Sequence, residues 1–188
     1  MPSVEIRRPT PNDTEALHRF FEMMVRDTFA KENLLQYAEE IESEIENKIN
    51  YLDADLRSNG TDRYFLLAIR DGVVIGTIEY GPANNLIREL TQGALSHLPE
   101  IGTVFVHPSY QQQGVGSLLI NVMLLTLLNK GIEEFCLDCG YRSAQEVWLR
   151  KFGEPQYWLR DLWGEGQDHM IWALRTGSVP ISFHAARV

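Results

Sequence analysis

One uninterrupted order of elements constrains the fold of this chain more than any other feature: a strand, a glycine-containing turn, a long apolar helix and a second strand. The apolar residues Pro99 to His107 predict the first strand, and the turn that follows contains Gly114 and Gly116. Residues 114–130 predict the helix, and residues 132–139 predict the second strand. Because a helix connects the two strands, they are expected to lie parallel in one sheet. The segment therefore predicts a β-α-β unit within an α/β fold.

The turn before this helix has the chemistry of an anion-binding site. Successive backbone N–H groups of the turn and of the first helical turn converge where the helix dipole also favours negative charge. Gly114 and Gly116 can adopt positive φ and place no side chain between the backbone and a ligand. The residues predicted to bind a phosphate group are Gln111, Gln112, Gln113, Gly114, Val115, Gly116 and Ser117. The three glutamines are expected to add their side-chain amides.

Three phosphate-binding motifs compete for this turn. A Walker-type loop requires a lysine between its last glycine and its serine, but Ser117 directly follows Gly116. A dinucleotide-binding fingerprint requires a third glycine where Leu119 stands; Asp138 is an acceptable ribose ligand, so this motif stays open as a weaker alternative. The pattern Gln-x-x-Gly-Val-Gly that begins at Gln111, after a strand ending in Val-Phe-Val-His-Pro, resembles the pyrophosphate-binding motif of the GCN5-related N-acetyltransferase (GNAT) superfamily.

The elements predicted elsewhere agree with that resemblance over about residues 4–175. Asp71 and Gly72 separate two apolar stretches, which predicts an antiparallel hairpin. The further strands are predicted at 4–10, 63–70, 73–80, 157–163 and 168–175, and the further helices at 13–30, 33–56 and 143–152. The resemblance implies an α/β fold: a single GNAT-like domain with a mixed β-sheet, antiparallel N-terminal strands, a central β-α-β unit and flanking helices. No linker divides the sequence, so residues 1–188 are expected to form one domain with a C-terminal tail at 176–188.

Composition disfavours several classes of partner. The formal net charge is −9, which argues against nucleic acids and anionic membranes because clustered lysine and arginine bind phosphate groups. The most apolar helical segment, 118–128, is far shorter than a membrane span. The first residues lack the charged start and apolar core of a secretion signal, so a cytoplasmic location is expected. An acidic surface suits a cationic acceptor, and the second predicted helix, which borders the acceptor site in the GNAT superfamily, carries several glutamates between residues 39 and 46.

The cysteines and histidines predict no metal or redox site. Cys136 and Cys139 form a C-x-x-C pair, but residues three apart on a strand face opposite sides, and no second pair lies at zinc spacing. Two buried thiols are therefore expected. The histidines are scattered along the chain, at His18, His97, His107, His169 and His184.

The resemblance implies acetyl-CoA as the co-substrate. In the superfamily the central strand separates from its neighbour, and its backbone then binds the pantetheine arm as an added strand would. The matching residues of this chain are Val104, Phe105 and Val106. An amine held beside the thioester attacks it directly in a ternary complex. The expected acceptor is a primary amine of a small molecule or a peptide.

Glu100 is the candidate catalytic base. It precedes Val106 by six residues, so the period of two in a strand would place both side chains on one face. The resemblance also implies this role, because histone-type members of the superfamily have a glutamate base at the same spacing. The other interpretation is a structural carboxylate at the strand start after Pro99. Glu79, near the end of the preceding strand, is the second candidate base.

The general acid is missing from its usual place. Many superfamily members have an Asn-x-x-Ala-x-x-x-Tyr pattern whose tyrosine protonates the departing thiolate, but this chain has Arg142, Gln145 and Leu149 at those positions. Either no side-chain acid is used, or Tyr141 or another tyrosine replaces it. Two functions follow: an acetyl-CoA-dependent N-acetyltransferase, or a non-catalytic acyl-CoA-binding or sensing module.

The C-terminal third is rich in aromatic residues. Core packing is the first interpretation, and a pocket in which Asp161 and Asp168 bind an ammonium group among the rings is the second. The tail at 176–188 predicts no element. An added strand, a cover for a sheet edge and a contact with a second subunit in a homodimer all stay open for it.

Overall fold

The strands of this protein form one mixed β-sheet. The structure is a computed structural model that describes residues 3–183. Its strands are β1 (Glu5–Arg7), β2 (Tyr64–Arg70), β3 (Val73–Pro82), β4 (Pro99–Val106), β5 (Glu134–Cys139), β6 (Tyr157–Leu159) and β7 (His169–Arg175). They lie in the order β1-β2-β3-β4-β5-β7-β6; β4 and β5 are parallel, and the other neighbouring pairs are antiparallel. The predicted α/β fold, with antiparallel N-terminal strands and a central β-α-β unit, is confirmed.

Helices cover both faces of this sheet. They are α1 (Thr14–Lys31), α2 (Ala38–Ser58), α3 (Asn85–Leu90), α4 (Val115–Asn129) and α5 (Arg142–Phe152). α4 and α5 pack on one face, which we name the α4 face; α1, α2 and α3 pack on the other, which we name the α1–α2 face. α4 is almost wholly apolar because the sheet and the tail cover much of its surface, whereas α1 and α2 are amphipathic because one side of each meets solvent.

The hydrophobic core has a layer on each face of the sheet. On the α4 face, Leu119 and Met123 of α4 are fully buried in the same cluster as Ile78 of β3. On the α1–α2 face, the rings of Phe21 in α1 and Phe65 in β2 lie 6.0 Å apart between their centroids, and both are fully buried. Two apolar layers of this kind hold the strands from both sides, so the geometry at the centre of the sheet is well defined.

Three element boundaries differ from the sequence-based predictions. The helix predicted at 33–56 begins at Ala38, because Asn33 has a φ of +58° and lies in a turn. β1 and β6 are shorter than predicted because each is an edge strand with a single neighbour. α3 had no sequence signal, since six residues are too few for a periodic pattern; it begins at a cap in which Asn84 Oδ1 accepts the Ile87 N–H at 2.8 Å.

Two local predictions are confirmed. Asp71 and Gly72 have φ values of +52° and +77°, the two positive angles of a type I′ hairpin turn, and they connect β2 to β3. Cys136 lies in a buried cluster with residues of α3, whereas Cys139 lies in the core of the α4 face. Both thiols are free and buried, as the strand spacing predicted.

The tail crosses the α4 face. It begins with a short 3-10 turn at Thr176–Ser178, and Val179 is then buried in the core. Asn121 Nδ2 of α4 donates to the Ser182 carbonyl at 2.6 Å. The tail therefore covers part of α4, and its last residues, 184–188, lie outside the described residues.

Residues 3–183 contain neither a helix able to span a membrane nor a cluster of side chains suited to a metal ion. None of the helices there combines the length and the apolar character needed to cross a bilayer. In the same part of the chain, no group of three or more His, Cys, Asp and Glu side chains has an arrangement suited to a metal ion.

A bulge in β4 changes which side chains face each side of the sheet. Glu79 pairs with Gly102 and Thr77 pairs with Phe105, so one residue of β3 lies opposite two residues of β4. Thr103, inside the bulge, has a φ of +50°, which is rare for a β-branched residue. Hydrogen bonds hold this conformation: Thr77 Oγ1 donates to the Thr103 carbonyl at 2.9 Å, and Thr103 Oγ1 donates to Glu79 Oε1 at 3.2 Å.

The bulge makes the prediction that Glu100 and Val106 share one face wrong. Glu100 precedes the bulge and lies on the α1–α2 face, where the N–H of Asn84 donates to it at 2.7 Å. Val106 follows the bulge and packs against the core of the α4 face. One extra residue between them reverses the alternation of side chains that a period of two assumes. The candidate base and the strand end next to the glycine turn are therefore on opposite sides of the sheet.

Candidate active site

β4 and β5 separate soon after they meet. The described residues show one ladder pair between them, Glu100 opposite Cys136. Beyond this pair, β4 stays paired with β3, and β5 stays paired with β7. The strands leave an opening between them, which we name the β4–β5 gap. The residues predicted to bind an extended arm, Val104, Phe105 and Val106, lie along this gap.

The turn after β4 exposes a row of backbone donors. In the described structure, the N–H groups of residues 112–117 have no hydrogen-bond partner, and the N–H of Leu118 is the first to donate, to the Gly114 carbonyl at 2.9 Å. Gln112 and Gly114 have φ values of +60° and +84°. A Cβ added at Gly114 would meet no atom within 4 Å. We name residues 111–117 the anion turn, because unpaired donors and open space coincide at the N-terminus of α4.

Two glutamine side chains of the anion turn donate to backbone carbonyls. Gln111 Nε2 donates to the Val106 carbonyl at 3.0 Å, and Gln113 Nε2 donates to the Ser109 carbonyl at 2.9 Å. Each of these two amides therefore uses one of its N–H groups within the chain, and their role in the phosphate site stays a prediction. The unpaired backbone N–H groups of the turn therefore stand beside exposed side-chain donors, among them Gln112 and Ser117.

Two carboxyl groups meet on the α1–α2 face at the start of the gap. Glu79 is fully buried; its Oε2 accepts from Arg63 Nη1 at 2.7 Å, and its Oε1 accepts from Thr103 Oγ1 at 3.2 Å. Gly102 makes room for the pair, since a Cβ there would lie 2.6 Å from Glu79 Oε1 and 3.5 Å from Glu100 Oε1. Burial raises the pKa of Glu79, and Arg63 opposes this shift. The tertiary structure thus brings both candidate bases together.

Glu100 is held by the start of α3. The N–H of Asn84 donates to Glu100 Oε2 at 2.7 Å, and Asn84 Nδ2 donates to Glu100 Oε1 at 3.1 Å. Burial raises the pKa of Glu100 to about 8, and the charges of Asp138 and Glu79 act in the same direction. A carboxyl group with this pKa exchanges its proton near neutral pH, as a general base requires.

Positive side chains face these carboxyl groups. The Arg63 guanidinium lies 3.6 Å from the centroid of the Tyr51 ring in α2. Lys48 Nζ, also on α2, lies 5.3 Å from the same centroid and 2.8 Å from Glu44 Oε1. Burial disfavours the charge of Lys48, but Glu44 and Glu79 outweigh burial and raise its pKa. These cations compensate the charge of the buried Glu79.

The usual position of the general acid is filled by packing residues. Leu149 packs against the core of the α4 face, and Gln145 Nε2 donates to the carbonyls of Cys139 and Asp168 at 3.0 Å and 2.8 Å. Tyr141, directly after β5, packs against clusters on both faces of the sheet, which places it beside the β4–β5 gap. Burial raises the pKa of Tyr141, so its hydroxyl keeps its proton at neutral pH.

The acidic residues among the C-terminal aromatics hold a loop together. Asp168 accepts from Trp158 Nε1 at 2.6 Å and from the Asp161 N–H at 2.9 Å, and Asp161 accepts from the Gly166 N–H at 2.5 Å. Both carboxylates are used inside the loop between β6 and β7, which argues against the predicted ammonium pocket. Core packing, the other interpretation, holds for the fully buried Trp172.

Three residues of the site had no sequence signal for this role. Asn84 follows β3, Asp138 lies in β5 and His169 lies in β7, so they share no motif along the chain. Asn84 Nδ2 donates to Asp138 Oδ1 at 3.2 Å, and Asp138 Oδ2 lies 2.9 Å from His169 Nε2. The sheet order places β5 between β4 and β7, which brings these side chains to Glu100.

Comparison with known proteins gives both sequence and structural matches. A family model described as the acetyltransferase (GNAT) family matches residues 17–154. No curated protein sequence matches the chain significantly. The PaiA N-acetyltransferase from Thermoplasma acidophilum, solved in complex with coenzyme A, is 23% identical with a TM-score of 0.64, and the match covers 92% of this chain and 99% of that chain.

Two further solved structures share this fold. An N-acetyltransferase from Staphylococcus aureus Mu50 is 16% identical with a TM-score of 0.65, covering 93% of this chain and 99% of that chain. YncA from Salmonella typhimurium, solved with acetyl-CoA, is 19% identical with a TM-score of 0.64, covering 99% of this chain and 98% of that chain. The agreement extends over nearly the whole length of each protein.

Proposed function

Because the chain belongs to the acetyltransferase (GNAT) family, whose model matches residues 17–154, we propose that it moves an acetyl group from acetyl-CoA to a primary amine by direct attack in a ternary complex. The acceptor is a small molecule or a peptide with a free amine. Two structurally similar proteins were solved with coenzyme A or acetyl-CoA, which supports acetyl-CoA as the co-substrate.

The observation that supports this proposal is that β4 connects the anion turn, with its unpaired N–H groups, to the buried carboxyl group of Glu100. The strand leaves β5 just after Glu100, and the anion turn follows its other end. The unpaired N–H groups of residues 112–117 fit the pyrophosphate of coenzyme A, and the open edge of β4 fits the pantetheine arm as an added strand. An arm bound in this way leads from the anion turn toward Glu100.

The bulge in β4 assigns the two substrates to different sides of the sheet. The anion turn opens at the start of α4, so the coenzyme is expected to enter along the α4 face. Glu79 and Glu100 lie on the α1–α2 face, so the amine is expected to approach from there. The two substrates then meet in the β4–β5 gap, where their fixed positions replace a bimolecular encounter.

Proton removal is the step for which Glu100 is proposed. An alkyl amine of pKa about 10.4 is almost wholly protonated at neutral pH, and freeing its lone pair costs about 4 to 5 kcal/mol without a base. Glu100 takes one proton from the ammonium group, the freed amine nitrogen bonds to the thioester carbonyl carbon, the C–S bond breaks, and the nitrogen releases its second proton to solvent as the neutral amide forms. A backbone N–H of β4 polarises the carbonyl. The departing thiolate takes its proton from solvent or from Tyr141, which lies beside the gap.

Replacing Glu100 tests this role directly. Glu100→Gln should lower turnover at neutral pH by roughly 100-fold or more, because a general base contributes about that much, while coenzyme A affinity stays unchanged. In the parent, kcat/KM should rise with pH through about 8 as Glu100 loses its proton. The ratio of parent to variant rates should fall as the pH approaches the pKa of the free amine, since deprotonation in solution then replaces the base.

The matched control for this experiment is Glu133→Gln, the same change at an exposed residue between α4 and β5. It should leave rate and pH profile as in the parent. If Glu100→Gln also kept the parent profile, the role would pass to Glu79 or to solvent.

A second function is favoured by one observation: Leu149 packs in the core where many relatives have a tyrosine acid. A module that binds acyl-CoA without catalysis would need no acid. Measurement of free thiol released from acetyl-CoA, with polyamine, aminoglycoside, amino-acid and peptide amines as acceptors, separates the two functions. Coenzyme binding without thiol release for every amine would support the binding module; thiol release with one class identifies the acceptor.

A further inference from the structure

A chain of hydrogen bonds continues from Glu100 across β5 to β7. Glu100 lies opposite Cys136 in the ladder, and Asp138 is two residues further along β5 on the same face. Asn84 Nδ2 lies 3.1 Å from Glu100 Oε1 and 3.2 Å from Asp138 Oδ1, so one amide nitrogen bridges two carboxyl groups. The orientation of this amide is defined, because Asn84 Oδ1 accepts the Ile87 N–H.

The other oxygen of Asp138 is bound by a histidine whose tautomer a tryptophan defines. Trp163 Nε1 can only donate, and it lies 3.2 Å from His169 Nδ1, which must therefore accept. The proton of the neutral imidazole is then on Nε2, 2.9 Å from Asp138 Oδ2, to which it donates. Gly140 leaves room for this contact, since a Cβ there would lie 3.1 Å from His169 Nδ1 and 3.3 Å from Trp163 Nε1.

This arrangement gives Asp138 and His169 a role that rests on the proposed function of Glu100. We propose that both are positioning residues for the base: His169 holds Asp138 as an anion beside Glu100, and that anion sets the pH at which Glu100 can accept a proton from the amine. An N–H donor favours an ionised carboxylate, and a neighbouring like charge disfavours ionisation of a second carboxyl group. The charge of Asp138 therefore acts with burial to raise the pKa of Glu100.

The other titratable groups around Glu100 are each either paired with an opposite charge or neutral near pH 7. They come from β3, the segment before β2, α2 and β5, and are Glu79, Arg63, Lys48, Tyr51 and Cys136. Arg63 pairs with Glu79, and Lys48 pairs with Glu44. Burial raises the pKa of Tyr51 and of Cys136, so both are neutral near pH 7.

Two charged residues of α3 complete these surroundings: Arg88 and Glu89 are exposed to solvent. Asp138 differs from Glu79 because its partner is a neutral imidazole instead of a cation. The charge of Asp138 can therefore be removed without leaving a buried cation unpaired. Asp138 is for this reason the residue to substitute.

Asp138→Asn tests the proposal by carbon-13 NMR titration of the Glu100 carboxyl carbon in the coenzyme-free protein. The signal is identified by its loss in Glu100→Gln. The midpoint should lie near pH 8 in the parent and should fall by roughly one pH unit or more in Asp138→Asn, because one neighbouring negative charge is gone. The acidic limb of kcat/KM should move to lower pH in the same direction. Asp71→Asn, the same change in the exposed turn between β2 and β3, should leave the midpoint unchanged.

Variants of His169 separate the positioning role from simple packing. His169→Phe removes the donor that holds the Asp138 carboxylate in place beside Glu100, so the Glu100 midpoint should also fall. His169→Gln keeps an N–H for Asp138 and should retain the parent midpoint, although its packing also changes. If Asp138→Asn does not fold, the comparison of His169→Phe with His169→Gln tests the positioning role instead.

A folded Asp138→Asn protein with the parent midpoint overturns the proposal, as does a His169→Phe protein that titrates like His169→Gln. Failure of the proposed function looks different. If Glu100→Gln left turnover unchanged while Asp138→Asn still lowered the midpoint, the coupling would be supported and the catalytic role of Glu100 would be wrong.

Discussion

Gly114 and Gly116 meet different requirements in the anion turn. Gly114 has a φ of +84°, a backbone conformation that residues with a Cβ disfavour, and the space around it is open. Gly116 has helical geometry at the start of α4, and a Cβ there would make an ordinary contact, 3.5 Å from Val106 Cγ2. Backbone conformation therefore requires glycine at residue 114, whereas residue 116 needs a small side chain for the approach of a ligand.

Gly114→Val should reduce both stability and coenzyme A affinity. The β-branched side chain strains the turn and stands where a pyrophosphate would approach, so we expect binding to weaken by roughly 10- to 100-fold, as when about one hydrogen bond to a charged group is lost. Calorimetric titration with coenzyme A measures this loss.

Gly131→Val is the matched control for Gly114→Val. Gly131 lies just after the other end of α4, has a φ of +71° and has equally open surroundings. Both variants should lose similar stability because both strain a left-handed residue. Binding should be lost in Gly114→Val alone; an equal loss in both would show that strain, and not the phosphate site, explains the effect.

At the scale of elements, the bulge in β4 decides where the chemistry takes place. Without it, the side chains of Glu100 and of Val106, at the end of the strand next to the anion turn, would face the same side. The extra residue is held by Thr77, whose hydroxyl donates to the Thr103 carbonyl at 2.9 Å inside a buried site. Thr103 Oγ1 in turn donates to Glu79, so a hydrogen bond to a candidate base also stabilises the conformation of the bulge.

Thr77→Val should destabilise the protein by about 1 to 3 kcal/mol, because the buried Thr103 carbonyl loses its side-chain donor while the shape of the site is preserved. Denaturant unfolding measures this change. Thr28→Val is the control. The Thr28 hydroxyl donates to the Met24 carbonyl within α1, and that carbonyl also accepts a hydrogen bond of the helix itself. The loss of stability in Thr28→Val should therefore be much smaller. Equal losses in the two variants would contradict the special role of the bulge.

At the scale of the whole molecule, folding buries carboxyl groups on an acidic chain. Glu79, Glu100 and Asp55 are all buried, and burial raises the pKa of each above its usual value. A carboxyl group whose pKa is higher in the folded state binds more protons there than in the unfolded chain. Its contribution to stability is complete below the unfolded pKa and is lost as the pH rises through the folded pKa.

For Glu100 this loss falls between about pH 4.5 and about pH 8. Relative to Glu100→Gln, the parent should therefore lose roughly 3 to 5 kcal/mol of unfolding free energy between pH 5 and pH 9. Urea unfolding of both proteins at several pH values measures the difference, and Glu133→Gln should follow the parent throughout. A constant difference between parent and Glu100→Gln would show that Glu100 does not carry this shift.

The sequence by itself determined the central β-α-β unit, the hairpin at Asp71 and Gly72, the position of the anion turn and the two candidate bases. These features depend on local properties: the period of apolar residues, the backbone freedom of glycine and the connection lengths between elements. The GNAT fold and family followed from their order.

The tertiary structure alone decided which face Glu100 occupies and which side chains surround it. The bulge has no local signature, since Thr103 is a residue that rarely adopts positive φ, and its conformation depends on hydrogen bonds to β3. Asn84 binds Glu100, and Asp138 and His169 extend this contact across the sheet, because the sheet order brings distant segments together that no spacing along the chain encodes. The raised pKa of Glu100 could not be predicted from the sequence either, because burial and neighbouring charge are properties of the folded molecule.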